Sequence, residues 1–406
     1  MKIYISGISG TGMGPLALMA KAAGISVCGS DKNPGMILPE LEKAGIEVKI
    51  GEQDGEFLKE KMQEGIDWFV HTSALPKEHP ELVLAKDLGV KVTKRDELTE
   101  YLVRELGLKM VAVAGTHGKT TTTSMITFAS IKLGIPAAYI VGTTLGFAPS
   151  GSYKPGDKFF IYEADEYDRN FLMFHPWLAV FPSVTYDHPD IYPTREDYEE
   201  AFSQFKAQCE NVIDEINGDV DFKLAGAARR RDAELAMTAI LNMAPEIAPE
   251  QVKAVLDEFP GVGRRFERLA EGFYTDYAHH PEEIEATIDV AKDEARIRRK
   301  KGIIVVYQPH QNTRQHEVKD GYKDAFIGAS KVFWIPTYLT REDPNLEVLT
   351  PEDLISILSN KDVAEPAELN DELFEKLKNY QAEGYLILLM TAGPADGWLR
   401  KNVASL

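Results

Sequence analysis

Residues 110–123 read M-V-A-V-A-G-T-H-G-K-T-T-T-T, an apolar run that breaks at Gly115 and ends in a lysine and a row of threonines. This order predicts a strand over 110–114, a tight loop, and a helix from about Thr120 to Leu133, stopped by Gly134-Ile135-Pro136. Gly115 and Gly118 free the backbone to aim N–H groups at phosphate oxygens, and the helix start adds partial positive charge. Lys119 brings a full charge to β- and γ-phosphates, and the Thr120 hydroxyl suits Mg²⁺. Val113 stands where the pattern G-x-x-x-x-G-K-[ST] has its first glycine. The chemistry expected is ATP binding in the middle of the chain.

Further along, E-A-D-E-Y-D (163–168) closes a predicted strand at 159–163, and T-Y-D-H-P-D-I-Y (185–192) follows another at 177–181. Ligands bind at the carboxyl ends of strands in open α/β sheets. Glu163 and His188 beside a phosphate loop therefore make a candidate Mg²⁺ site, whereas Asp165, Glu166 and Asp168 read more readily as a solvated acidic loop. D-Y-A-H-H-P (276–281) and Q-P-H-Q-N-T-R (308–314) gather His279, His280, His310 and Arg314 at two later strand ends. Such a group suits an anionic or amine-bearing substrate; a three-histidine metal site is the rival, with no carboxylate at ligand spacing.

These residues need a scaffold, and the pattern supplies one. Short apolar strands alternate with helices from residue 2 to about 93 and again from 110 and from 272, which predicts parallel sheets covered by helices. The first βαβ unit carries G-I-S-G-T-G-M-G (7–14) and ends its second strand at Gly29-Ser30-Asp31. Gly7-x-x-Gly10-x-Gly12 is not the spacing of G-x-G-x-x-G, so a phosphate-bearing ligand other than NAD is expected. Helices are predicted at 194–213, 229–242, 249–258, 281–292, 318–329, 351–359 and 370–382, and F-P-G-V-G-R-R-F-E (259–267) reads as a hinge.

A formal net charge of −19 argues against nucleic acid and anionic membranes as partners. Cys28 and Cys209 are too few and too far apart for a disulfide framework or a cysteine zinc site. The residues after Met1 run directly into a strand without a secretory pattern, and no stretch has the length of a membrane span, so a cytoplasmic location is expected.

Taken together, G-I-S-G-T-G-M (7–13), G-S-D (29–31), T-S-A-L (72–75), G-T-H-G-K-T-T (115–121), E-A-D-E (163–166), D-H (187–188), R-R-F (264–266), D-Y-A-H-H-P (276–281), Q-P-H (308–310) and T-R (313–314) resemble the motifs of the Mur ligase family, most nearly its alanine-adding branch. The resemblance implies an α/β chain of three domains: a Rossmann-like UDP-sugar-binding domain (1–107), a P-loop ATP-binding central domain (108–259) and a Rossmann-like C-terminal domain for amino acid and ATP (260–406). It implies an ATP- and Mg²⁺-dependent ligase of peptidoglycan precursor synthesis, which joins L-alanine to the carboxylate of UDP-N-acetylmuramate through an acyl phosphate. By the same resemblance Lys119, Glu163 and His188 are catalytic, and Thr120, Glu163 and His188 hold the metal. ATP falls to Gly115, Thr116, His117, Gly118, Lys119, Thr120, Thr121, Arg265 and Asp276. The substrates fall to Ser9, Gly10, Thr11, Gly12, Met13, Asp31, Ser73, His279, His280, His310 and Arg314. A monomer or weak homodimer is expected.

The chain departs from the family pattern at several points. The stretch from Tyr192 to Gly226 is too short for the usual strands, and G-A-A-R-R-R-D (226–232) stands where G-x-H-N-x-x-N flanks the adenine. Ser183, Thr185 and Gln311 replace the usual asparagine, glutamate and arginine. Two alternatives stay open: a recycling ligase that adds a tripeptide to the same sugar nucleotide, and a non-catalytic homologue that binds UDP-sugar or ATP.

Overall fold

The computed structural model describes residues 1–188, 191–340 and 342–406, and in it three sheets follow one another along the chain. The first contains β1 (Lys2–Ser6), β2 (Ser26–Asp31), β3 (Glu47–Ile50), β4 (Trp68–His71) and β5 (Lys91–Lys94), all parallel in the order β3-β2-β1-β4-β5. The second contains β6 (Lys109–Val113), β7 (Ala137–Ile140), β8 (Gly151–Ser152), β9 (Phe159–Glu163), β10 (Leu178–Val180) and β11 (Val212–Ile213), ordered β11-β10-β6-β9-β7-β8 with β8 antiparallel. The third contains β12 (Glu267–Ala270), β13 (Phe273–Asp276), β14 (Ile303–Gln308), β15 (Lys331–Trp334), β16 (Ala364–Pro366) and β17 (Leu386–Thr391), ordered β12-β13-β17-β14-β15-β16 with β12 antiparallel. Central strands such as Ile-Ile-Val-Val-Tyr-Gln and Leu-Ile-Leu-Leu-Met-Thr are buried along their whole length, as strands covered by helices on both faces must be.

By packing, the chain divides into two compact units. One is Met1–Phe222 with Arg231–Pro260, and the other is Lys223–Arg230 with Gly261–Leu406. The first two sheets share the first unit because the helix Met13–Ala22 is buried over all of residues 13–20. A helix apolar on every side must be covered on every side. Gly151 of β8 comes so close that a Cβ there would lie 1.9 Å from the Pro15 carbonyl oxygen. Its buried side chains, at about 1.5–3 kcal/mol for each large one, outweigh the exposed Lys94–Asp168 ion pair, which is worth about 0–1 kcal/mol.

Two predicted helices are corrected. The helix expected over 194–213 ends at Ala207, and Val212–Ile213 pairs with β10 as an edge strand, so the short stretch after Tyr192 still contributes one strand. The helix expected over 318–329 is replaced: the α-helix lies earlier, over Asn312–Val318, and a 3₁₀ turn covers Lys319–Lys323. Gly321 and Gly328 in that stretch favour its breakage. Among the described residues no helix is long and apolar enough to cross a membrane.

Candidate active site

β6 lies between β9 and β10, so its carboxyl end is flanked by the ends of both neighbours. Val113 is the last residue of β6 and pairs with Glu163 and Val180, which makes it part of the strand rather than of the loop. The turn proper begins at Gly115, whose φ of +146° excludes other residues without strain. A Cβ there would lie 2.4 Å from the Ser183 carbonyl oxygen. Gly118 at φ +82° precedes the helix Lys119–Leu133, and Gly134 at φ +70° closes it.

The loop is braced from the segment after β10. Thr116 donates its N–H to Ser183 O at 2.8 Å and its hydroxyl to Thr185 O at 2.6 Å, while the Tyr198 hydroxyl lies 2.7 Å from the same oxygen. Ser183 and Thr185 thus act here through main-chain groups, which any residue type offers. Arg231 donates to Pro182 O at 3.1 Å, and the Asp232 carboxylate packs against Gly118, 2.8 Å from where a Cβ would stand. Asp232 thus packs on the 115–119 loop, and Arg231 on the Pro182 segment beside it.

Lys119 donates to both Glu166 oxygens, at 2.7 and 3.0 Å, and to the carbonyls of Gly115 and Thr116. Burial works against the charge on each partner, but their mutual attraction wins: Lys119 is held above the ordinary lysine range and Glu166 below the carboxylate range. His188, at φ +58°, sets Nε2 3.6 Å from Glu166, which with Asp187 outweighs burial and raises its imidazole. Asp165 is pushed up by burial and by Glu166. Thr120 donates its hydroxyl to Glu163 at 2.9 Å. Thr120 and Glu163 therefore stand together as expected, but the partners of His188 are Glu166 and Asp187. Glu166 corrects the reading of a solvated loop, because only 1% of it is exposed. Sequence spacing could not tell which of four clustered acids turns inward. Asp168 remains at the surface, paired with Lys94 at 2.8 Å.

In the first sheet the glycine turn is closed by its own acid. Ser30 O accepts the N–H of Gly7 at 2.8 Å and of Ile8 at 3.1 Å, and the Asp31 carboxylate accepts those of Ser9 and Asn33. The Ser9 hydroxyl is spent on Asn33 O and Gly35 N, both at 3.0 Å, and Met13 is buried. Gly10 and Thr11 are exposed at the tip, as is Ser73 after β4, with Gly12 half-buried. Ser9, Met13 and Asp31 shape this turn; Gly10, Thr11, Gly12 and Ser73 are the ones that present surface.

In the second unit β13, β14 and β17 end side by side. The His279 ring lies 6.2 Å from His310 and 5.3 Å from Tyr277, and the guanidiniums of Arg264 and Arg265 stand 4.6 and 5.1 Å from the Tyr277 ring. Glu283 accepts the backbone N–H of both His279 and His280, at 3.0 and 3.2 Å, fixing that pair at the start of the helix Pro281–Ile297. Asp276 is buried and accepts the N–H of Phe266 at 2.6 Å and of Ala278 at 2.7 Å, a pin between the 264–266 turn and the histidine loop. Arg314 is half-buried on the helix after Gln311, which takes φ +63° and donates its N–H to Tyr338 O.

Three sheet assemblies, one of them carrying a glycine loop and Lys119 at its carboxyl edge beside Glu163 and Glu166, define a multidomain α/β protein. Three family models match in succession: the Mur ligase catalytic domain over residues 2–105, the Mur ligase middle domain over 113–253, and the Mur ligase glutamate ligase domain over 264–393. A UDP-N-acetylmuramate–L-alanine ligase of Clostridium botulinum (strain Eklund 17B / Type B) is 30% identical over 449 aligned positions, covering 97% of this chain and 95% of that one. The chain belongs to the Mur ligase family. Its fold matches the crystal structure of a UDP-N-acetylmuramate–alanine ligase from Thermotoga maritima with a TM-score of 0.79 at 22% identity, over 100% of this chain and 99% of that one. It also matches a murein peptide ligase from Psychrobacter arcticus 273-4 with a TM-score of 0.64 at 23% identity, over 100% and 98%.

Proposed function

We infer that the chain is an ATP-dependent ligase that joins L-alanine to the carboxylate of UDP-N-acetylmuramate, releasing ADP and phosphate in the cytoplasm. The observation that carries this reading is the phosphate loop, with Lys119 and Thr120 set against Glu166 and Glu163, in a chain whose relatives bear that activity in their names.

The chemistry divides into two displacements. A carboxylate oxygen of the sugar attacks the γ-phosphorus of ATP, the bond to the ADP oxygen breaks, and an acyl phosphate forms. The alanine amine then attacks the acyl carbon, phosphate leaves, and the amine proton passes to solvent or a nearby base. Lys119 and the loop N–H groups would neutralise charge on the moving phosphoryl group. His279, His280, His310 and Arg314 would orient the incoming amino acid and the reacting carboxylate.

A magnesium ion fits the donors present. Thr120 and Glu163 supply a hydroxyl and a carboxylate 2.9 Å apart, oxygen ligands of the kind this hard cation takes alongside substrate phosphates. Thr120 and Glu163 would hold it, and it would supply neutralisation of charge on the transferring phosphoryl group.

Mass spectrometry of the product tests the assignment. The purified protein with ATP, Mg²⁺, L-alanine and UDP-N-acetylmuramate should add one alanyl residue to the sugar nucleotide. A product formed only with tripeptide would select the recycling branch, and no product with either would contradict a ligase.

A further inference from the structure

Arg95 opens the helix Arg95–Glu105 directly after β5, on the carboxyl edge of the first sheet, where the 7–12 turn also lies. Its guanidinium rests against that turn: a Cβ on Gly12 would stand 2.5 Å from Nη1. The side chain is 20% exposed, and Nε donates to Asp96 Oδ1 at 3.3 Å. Among the described residues no acceptor takes a hydrogen bond from Nη1 or Nη2. A guanidinium carries five donors in a fixed fork suited to carboxylates and phosphates. The side chain is partly exposed, so the open fork is within reach of an anionic ligand seated on the turn.

Neighbouring acids hold the charge without closing the fork. Asp96 and Asp165 surround Arg95 electrostatically, Asp96 is 3% exposed, and the adjacent Lys94 pairs with Asp168. Lys94 and Arg95 thus lie between the glycine turn and the acid segment that carries Glu166. None of the glycine-turn motifs pointed to this position, because Arg95 is some 80 residues away along the chain.

We propose that Arg95 is a further binding residue for the sugar nucleotide, its terminal nitrogens donating to an anionic oxygen of the ligand seated on the 7–12 turn. The proposal rests on the reading of that turn as the sugar-nucleotide site. The oxygen belongs either to the diphosphate or to the lactyl carboxylate that is to be activated, and two probes separate them. UDP-N-acetylglucosamine has the diphosphate without the lactyl carboxylate; UDP-N-acetylmuramate has both.

Calorimetric titration of the full-length protein with each probe is the test, using Arg95→Ala and Arg95→Lys, with thermal unfolding as a check on folding. Arg95→Ala should weaken UDP-N-acetylmuramate binding about tenfold or more. An equal loss with both probes assigns the contact to the diphosphate, and a loss confined to UDP-N-acetylmuramate assigns it to the carboxylate. If the alanine variant does not fold, Arg95→Lys carries the comparison, since it keeps the charge and loses the fork. Wild-type affinity for both probes in a folded variant would overturn the role of Arg95 alone. A wild-type protein that binds neither probe would overturn the reading of the turn, and this proposal with it.

Discussion

The Nζ of Lys119 lies 2.7 Å from one oxygen of Glu166 and 3.0 Å from the other, so the phosphate-loop lysine is clamped by an acid that is itself 1% exposed. Removing one partner of a buried pair leaves the other uncompensated, which costs about 3–5 kcal/mol. Glu166→Ala should therefore lower the unfolding free energy by that order, measured by denaturant titration without nucleotide. A non-hydrolysable ATP analogue should stabilise the variant more than the wild type, because its phosphates would replace the lost anion. A loss under about 1 kcal/mol would show that the clamp is not what holds the lysine.

Lys119→Ala should reduce phosphate release at least about a hundredfold, the scale for removing a principal charge-stabilising group. Calorimetric binding of UDP-N-acetylmuramate should stay within about twofold, since the glycine turn belongs to a different sheet. Loss of both activities would mean the variant has unfolded or that the two sites are one.

Gly115→Ala should separate loop geometry from backbone strain. At φ +146° with a Cβ 2.4 Å from Ser183 O, the loop must move, and ATP affinity should fall tenfold or more, taking the strain at about 1–3 kcal/mol. Gly156→Ala, at φ +99° with nothing within 4 Å, is the control and should leave ATP binding unchanged. Equal effects at the two positions would remove the argument from close approach.

The two thiols should be inert in the folded protein. Burial pushes Cys28 up to about 11 and Cys209 up to about 12, so both stay protonated well above neutral pH, and the thiolate is the reactive form. Iodoacetamide at pH 8 should label neither over an hour, and both should react once denaturant is added. Rapid labelling of the native protein at either position would contradict the burial described.

The strand, glycine loop and helix around 109–123 were legible in the sequence because their determinants are local: a strand, two glycines, a lysine and a helix within fifteen residues. The histidine loops were legible for the same reason, since 276–281 and 308–314 each punctuate a strand end. What escaped was the direction in which side chains turn. Glu166 and Asp168 are two residues apart, yet one is buried on Lys119 and the other pairs at the surface with Lys94. Asp31 reads as a ligand-facing acid, but its oxygens are occupied by Ser9 and Asn33. Short edge strands such as Val212–Ile213 carry too little periodicity to separate from a preceding helix. Arg95 meets Gly12 only because β5 lies on the far side of β4 from β1 with its helix returning over the same edge.

Phosphate release from purified protein tests ligation most directly, measured with ATP and Mg²⁺ while L-alanine and UDP-N-acetylmuramate are added singly and together. Release is expected to be near background with either substrate alone and to rise many-fold only when both are present. Release that ignored the second substrate, or none under any combination, would contradict a ligase that spends ATP to join these two.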